Sequence, residues 1–205
     1  MSLIKVSIKK LTGIIGVVLT LSISGTLSAK NGVYVTGGSG MDDTLIQSGD
    51  ISGASVRGFG FRQDIHSQLR LGLFDGGLFG KGLFSEGHWF IDYEWHQLSS
   101  HFEGRSEQMT IWAVKPTLQF FFQPEKKSGL FYEAALGAAY LDEKTFEEVK
   151  RAEHVNFVMQ FALGWQSQNS PWHVALRYNH YSNGYLAQPN PGIDFASLVL
   201  NYTFN

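Results

Sequence analysis

His180, Ser182 and Asp194 are the residues whose types and spacing could do chemistry. They sit in the stretch from Arg177 to Asp194, R-Y-N-H-Y-S-N-G-Y-L-A-Q-P-N-P-G-I-D. A serine hydroxyl becomes a nucleophile when an imidazole takes its proton and a carboxylate orients and stabilises the resulting imidazolium. Residues two apart on a strand share a face, with side chains within about 7 Å, so rotamers can bring a histidine nitrogen to a serine oxygen. Asn183, Asn190 and backbone N–H groups near Gly184 and Gly192 could then serve as an oxyanion hole. From spacing alone, the H-x-S pair more often means a histidine and serine capping a strand at an interface.

The elements that must position these residues are strands. Trp172, Val174, Leu176, Tyr178, His180 and Ser182 share one parity, and His173, Ala175, Arg177 and Asn179 the other. After a Pro-Asn-Pro-Gly cluster built for tight turns, Asp194 shares parity with Ala196, Leu198, Leu200, Tyr202 and Phe204. Pairing of the two strands would bring serine, histidine and carboxylate onto one apolar surface. A bulge between Tyr178 and Ser182 would undo that parity.

Similar alternation recurs near Val33–Ser39, Ala54–Asp64, His88–Phe102, Gln108–Phe122, Leu130–Asp142, Val155–Gln166, Trp172–Ser182 and Phe195–Phe204. The fold class expected is all-β, with eight antiparallel strands. A soluble sandwich would show the same local pattern. Three features favour a transmembrane barrel: segments near the ~9–11 residues of a tilted spanning strand, Trp and Tyr at strand ends, and the alternating Leu198-x-Leu200-x-Tyr202-x-Phe204 finish. That finish resembles the terminal signal of bacterial outer-membrane barrels. Closure follows, because an open edge cannot be satisfied in hydrocarbon. Apolar faces would meet lipid, and Asp92, Glu94, Lys115, Glu133, Gln160 and Arg177 would fill a polar interior too narrow for a pore. The facing of the Ala54–Asp64 strand is left open, because charged and apolar residues occupy both parities.

The 205 residues fit one domain, and a net charge of −2 with no cysteine argues against nucleic-acid partners, disulfides and zinc–thiolate sites. Lys5, Lys9 and Lys10 precede a short apolar run and a small-residue exit at Ser28-Ala29, the pattern of a cleavable signal peptide over residues 1–29. Its removal leaves residues 30–205 as the barrel domain, with thirteen basic and eighteen acidic residues. Gly72-Leu-Phe, Gly77-Leu-Phe and Gly82-Leu-Phe repeat every five residues, matching neither helix nor strand, so a long, flexible connection is expected there, the alternative being an aromatic loop that dips into the membrane interface. With both termini in the periplasm, that connection lies on the periplasmic side. The charged Asp142–Glu153 segment and the Asn183–Ile193 loop lie outside the cell.

The run His180-Tyr181-Ser182-Asn183, then Leu186, Gln188-Pro189-Asn190, Gly192-Ile193 and an acid at 194, resembles the lipid A 3-O-deacylase (PagL) family. The match is confined to the last two strands, with Gly38-Ser39-Gly40-Met41 a faint echo. The resemblance implies an eight-stranded outer-membrane barrel that hydrolyses the ester-linked 3-hydroxyacyl chain at the 3-position of lipid A. It implies Ser182 as nucleophile, His180 as base, Asp194 as acid and Asn190 in oxyanion stabilisation, with Asn183 and Gly184 in support. The implied partner is lipid A or lipopolysaccharide of the outer leaflet; a homodimer is admissible, and no metal or cofactor is required. The family's acid is usually glutamate. The shorter Asp194 is therefore expected to need a local shift or a water to reach His180. Gly184-Tyr185 also departs from the family's order at that turn. A structural or adhesion barrel, a lipid acyltransferase and a phospholipase are the alternatives.

Overall fold

The computed structural model describes residues 30–42, 48–65 and 87–204. The proposed signal peptide and the Gly-Leu-Phe repeats lie outside the described residues. Eight long strands form a closed antiparallel barrel: β1 (Asn31–Gly40), β2 (Ser55–Asp64), β3 (His88–Phe102), β4 (Arg105–Phe121), β5 (Gly129–Leu141), β8 (Val155–Gln166), β9 (Trp172–Ser182) and β10 (Ile193–Phe204). Each pairs with its neighbour in the chain, and β1 closes the ring on β10. Two short strands, β6 (Thr145–Phe146) and β7 (Val149–Lys150), form a hairpin inside the β5–β8 connection.

The ladders carry a fixed stagger. Following paired residues from Val155 through Tyr140, Trp112, Trp95, Phe59, Val35, Leu200 and Val174 returns to β8 at Trp165, ten residues further along. With rises of about 3.3 Å per residue and spacings of about 4.8 Å, that shear tilts the strands by roughly 40°. Every residue on this path faces outward and all are apolar or aromatic. Leu176 and Leu198 on the same surface are 63% and 62% exposed. An apolar belt continuous around a molecule is not kept in water but suits a bilayer.

Inward-pointing residues fill the barrel in layers. At mid-height three cations meet three carboxylates. Arg62 donates to both oxygens of Asp92 (2.7 and 2.8 Å) and to Glu133 (2.5 and 3.1 Å). Arg177 and Lys115 both donate to Glu94, which also accepts from the Tyr34 hydroxyl at 2.5 Å. Thr117 and Gln119 bond Asp92 and Glu133 in turn. Of the interior network expected from Asp92, Glu94, Lys115, Glu133, Gln160 and Arg177, the five charged residues pair, whereas Gln160 is buried inside but hydrogen-bonds none of them. Arg62 joins the five, which settles the facing of β2: Val56 and Arg62 turn inward, and Phe59 and Phe61 outward. Towards the rim away from the termini the filling becomes apolar, with Val56, Leu98, Met109, Ile111, Val158, Tyr181, Ile193 and Phe195 packed together beneath the β6–β7 hairpin residues Phe146 and Val149.

The ionic layer has a testable consequence. Glu94→Ala leaves Arg177 and Lys115 buried without their shared carboxylate, which costs on the order of 3–5 kcal/mol. Urea titration of the barrel in lipid vesicles should show that loss. Replacing the exposed Glu103, 63% accessible beside Arg105, should leave the midpoint within about 0.5 kcal/mol of the wild type.

Candidate functional site

The register of β9 and β10 sets the site. Asp194 stands directly opposite His180, and Ala196 opposite Tyr178, with no bulge along the ladder. The inward neighbours of these residues lock the two strands into the core. Tyr181 and Phe195 stack at 5.6 Å, and the His96 ring meets Phe195 edge-on at 5.2 Å. Tyr181, Ile193 and Phe195 are fully buried. His180, Ser182 and Asp194, on the opposite parity, therefore project from a rigid wall rather than from a loop.

The three side chains form one line. His180 Nδ1 lies 2.6 Å from Asp194 Oδ1, and His180 Nε2 lies 3.0 Å from Ser182 Oγ. With a carboxylate at Nδ1, the neutral imidazole carries its proton there and offers the Nε2 lone pair to the serine hydroxyl. The shift or water expected to compensate the short Asp194 is not needed, because direct cross-strand pairing brings the carboxylate to the ring. Asp194 bonds a second donor as well, the Tyr178 hydroxyl at 2.8 Å from Oδ2.

The surroundings of the line differ from a bare lipid-facing surface. Asp194 is fully buried and His180 is 8% exposed. The connection after β1 accounts for part of this: Met41 N–H donates to the Asp194 carbonyl, Gly49 N–H to the Gly192 carbonyl, and Ser48 bridges to Gly192. Ser48 Oγ approaches His180 Nδ1 at 3.5 Å. Gly192 adopts no left-handed φ; its role is room. A Cβ there would lie 2.5 Å from His180 Cε1 and 3.0 Å from Ser48 Oγ.

The loop after Ser182 begins with a tight turn. Gly184 and Tyr185 have φ of +63° and +62°, and Leu186 N–H donates to the Asn183 carbonyl at 3.3 Å. Two left-handed residues in succession make a type I′ geometry, which suits Gly184 and strains the bulky Tyr185. Asn183 donates its backbone N–H to Asn190 Oδ1 (2.8 Å) and its side-chain amide to the Ala187 carbonyl (2.9 Å). Asn183 therefore braces the loop, and Asn190, engaged through Oδ1, keeps its amide N–H pair for another acceptor. The segment between β7 and β8 supports the same loop, through Ala152 N–H to the Pro189 carbonyl at 2.9 Å. Among the described residues no group of three or more His, Cys, Asp or Glu side chains could hold a metal ion.

Sequence reasoning missed Tyr178 and Ser48 as neighbours of the triad. Tyr178 had a legible signal, since it shares the parity of His180 and lies diagonally across from Asp194. Ser48 had none, because its contact comes from a connection distant in sequence.

Comparison with known proteins gives this arrangement a family. The family model for lipid A 3-O-deacylase (PagL) matches residues 58–203. The lipid A deacylase PagL of Bordetella bronchiseptica is 31% identical over 74 residues, 36% of this chain; the match spans 41% of that relative's length. The crystal structure of the outer membrane enzyme PagL has the same fold, with a TM-score of 0.54 at 21% identity over 83% of this chain and 98% of that one. The protein is an outer-membrane β-barrel, and more than half of its sequence lies within the matched region: the chain belongs to the lipid A 3-O-deacylase (PagL) family.

Proposed function

We propose that the protein is a serine esterase that hydrolyses the ester-linked 3-hydroxyacyl chain at the 3-position of lipid A in the outer leaflet. The observation that carries this reading is the unbroken hydrogen-bonded line Ser182–His180–Asp194 at one rim of the barrel, on the parity of its apolar outer face. A nucleophile placed there meets amphiphiles embedded in the membrane rather than solutes in the interior, which is filled.

The reaction follows from the geometry. Ser182 Oγ attacks the ester carbonyl as His180 Nε2 takes the hydroxyl proton, and Asp194 stabilises the imidazolium through Nδ1. Negative charge collects on the former carbonyl oxygen. The Gly184 backbone N–H and the Asn190 amide are the donors assigned to it, with Asn183 holding both in place. Collapse breaks the bond to the sugar oxygen, which leaves with the proton from His180. Water then attacks the acyl-serine ester, His180 accepting its proton and returning it to Ser182 Oγ. The products are a 3-hydroxy fatty acid and lipid A with a free hydroxyl at position 3.

Mass spectrometry of lipid A from cells expressing the wild type should show loss of one 3-hydroxyacyl mass, and Ser182→Ala should abolish it, a fall of about 10³-fold or more in rate. Unchanged lipid A in both, with the barrel folded in the outer membrane, overturns the reading. An acylated acceptor lipid among the products would make the protein a transferase instead. Gly192→Ala forces the imidazole off its line and should cost about 10–100-fold in kcat without loss of the barrel, as displacements near 1 Å do; wild-type turnover by this variant would contradict the role given to Gly192.

A further inference from the structure

We propose that Tyr178 is a positioning residue for the triad's acid: its hydroxyl fixes the plane of the Asp194 carboxylate so that a side chain as short as aspartate can hold His180. The proposal rests on the reading of Ser182, His180 and Asp194 as an esterase triad.

Asp194 has two carboxylate oxygens and they are divided between two partners. Oδ1 meets His180 Nδ1 at 2.6 Å, and Oδ2 accepts from Tyr178 at 2.8 Å. The terminal torsion of aspartate has broad, shallow preferences, so one contact does not set its plane and two do. The ladder explains how the tyrosine gets there. Tyr178 lies opposite Ala196, and the small alanine leaves the ring space to lean towards Asp194, the diagonal neighbour on the same face. Tyr178 is only partly buried whereas Asp194 is fully so. The ring thus stands between the carboxylate and the apolar belt below, with its hydroxyl turned to the charge and its body to lipid, the arrangement an amphipathic aromatic favours at a membrane rim. Loss of the donor removes one of the two hydrogen bonds that hold the charged carboxylate in its plane.

The test uses Tyr178→Phe, which keeps the ring and removes the hydroxyl, with purified lipid A in mixed micelles as substrate and heat-modifiable migration on gels as the check of barrel folding. The expected result is a fall in kcat of about 10-fold or more with KM within about 2-fold, and an acid limb of the pH–rate profile displaced to higher pH. In the Asp194→Asn background the same change should cost less than about 2-fold, because the tyrosine acts through the carboxylate. Site-specific 3-fluorotyrosine at 178, a stronger donor of the same shape, should move the acid limb the other way. An unchanged kcat and pH profile in Tyr178→Phe, a loss confined to KM, or an equal loss in both backgrounds would overturn the proposal. An inactive wild type would instead remove the triad reading on which it stands.

Discussion

The cross-strand pairing of Asp194 with His180 is the constraint on which the rest of the site depends. In a strand pair, a slip of one residue sends every side chain to the opposite face. A slip here would put His180 and Ser182 into the filled interior, or set Asp194 against Asn179. The register is held from inside the barrel. Tyr181, Ile193 and Phe195 are embedded in the apolar cluster at the rim, while Arg177, four residues before Tyr181, is tied to Glu94 in the ionic layer. Two kinds of anchoring, one apolar and one ionic, therefore fix the same two strands at different heights. The outward line of Ser182, His180 and Asp194 is their by-product.

The ionic layer is a costly way to fill a barrel, since each charge must leave water. It is balanced three against three among Arg62, Lys115, Arg177, Asp92, Glu94 and Glu133, and the carboxylates collect hydrogen bonds from Tyr34, Thr117 and Gln119 as well. Such a layer suits an outer-membrane fold: apolar side chains are needed on the outside, so the inside becomes the place where polar groups satisfy one another. It also closes the interior to solutes. On the proposed reading, the reacting groups lie on the exterior, where the membrane would deliver the lipid.

Most of the architecture was legible in the sequence because lipid on one side and a polar filling on the other impose a strict period of two. The bounds expected for His88–Phe102, Val155–Gln166 and Trp172–Ser182 are those of β3, β8 and β9. The signal fades where that environment ends. β4 begins at Arg105, three residues before the alternation starts at Gln108, since the β3–β4 hairpin projects past the apolar belt and its tip is polar on both faces. The facing of β2 was illegible for a related reason: Arg57, outward-facing near the rim, bonds Gln97, while Arg62 on the other parity enters the ionic layer. The β6–β7 hairpin left no trace in the pattern, being two residues on each side. At the site, parity placed Ser182, His180 and Asp194 on one face. It could not supply the reach of Asp194, which depends on which residue stands opposite it, nor the contact of Ser48 with His180, which comes from a distant connection.

The central claim is that Ser182 is a nucleophile activated by His180 on the membrane side of the barrel. Reaction of the folded protein in micelles with a long-chain alkylsulfonyl fluoride, followed by peptide mass mapping, tests it without reference to any particular lipid substrate. The account predicts a single sulfonyl adduct, on Ser182, and its disappearance in His180→Ala. No adduct in the folded wild type, or one that forms at Ser182 equally well without His180, would contradict it.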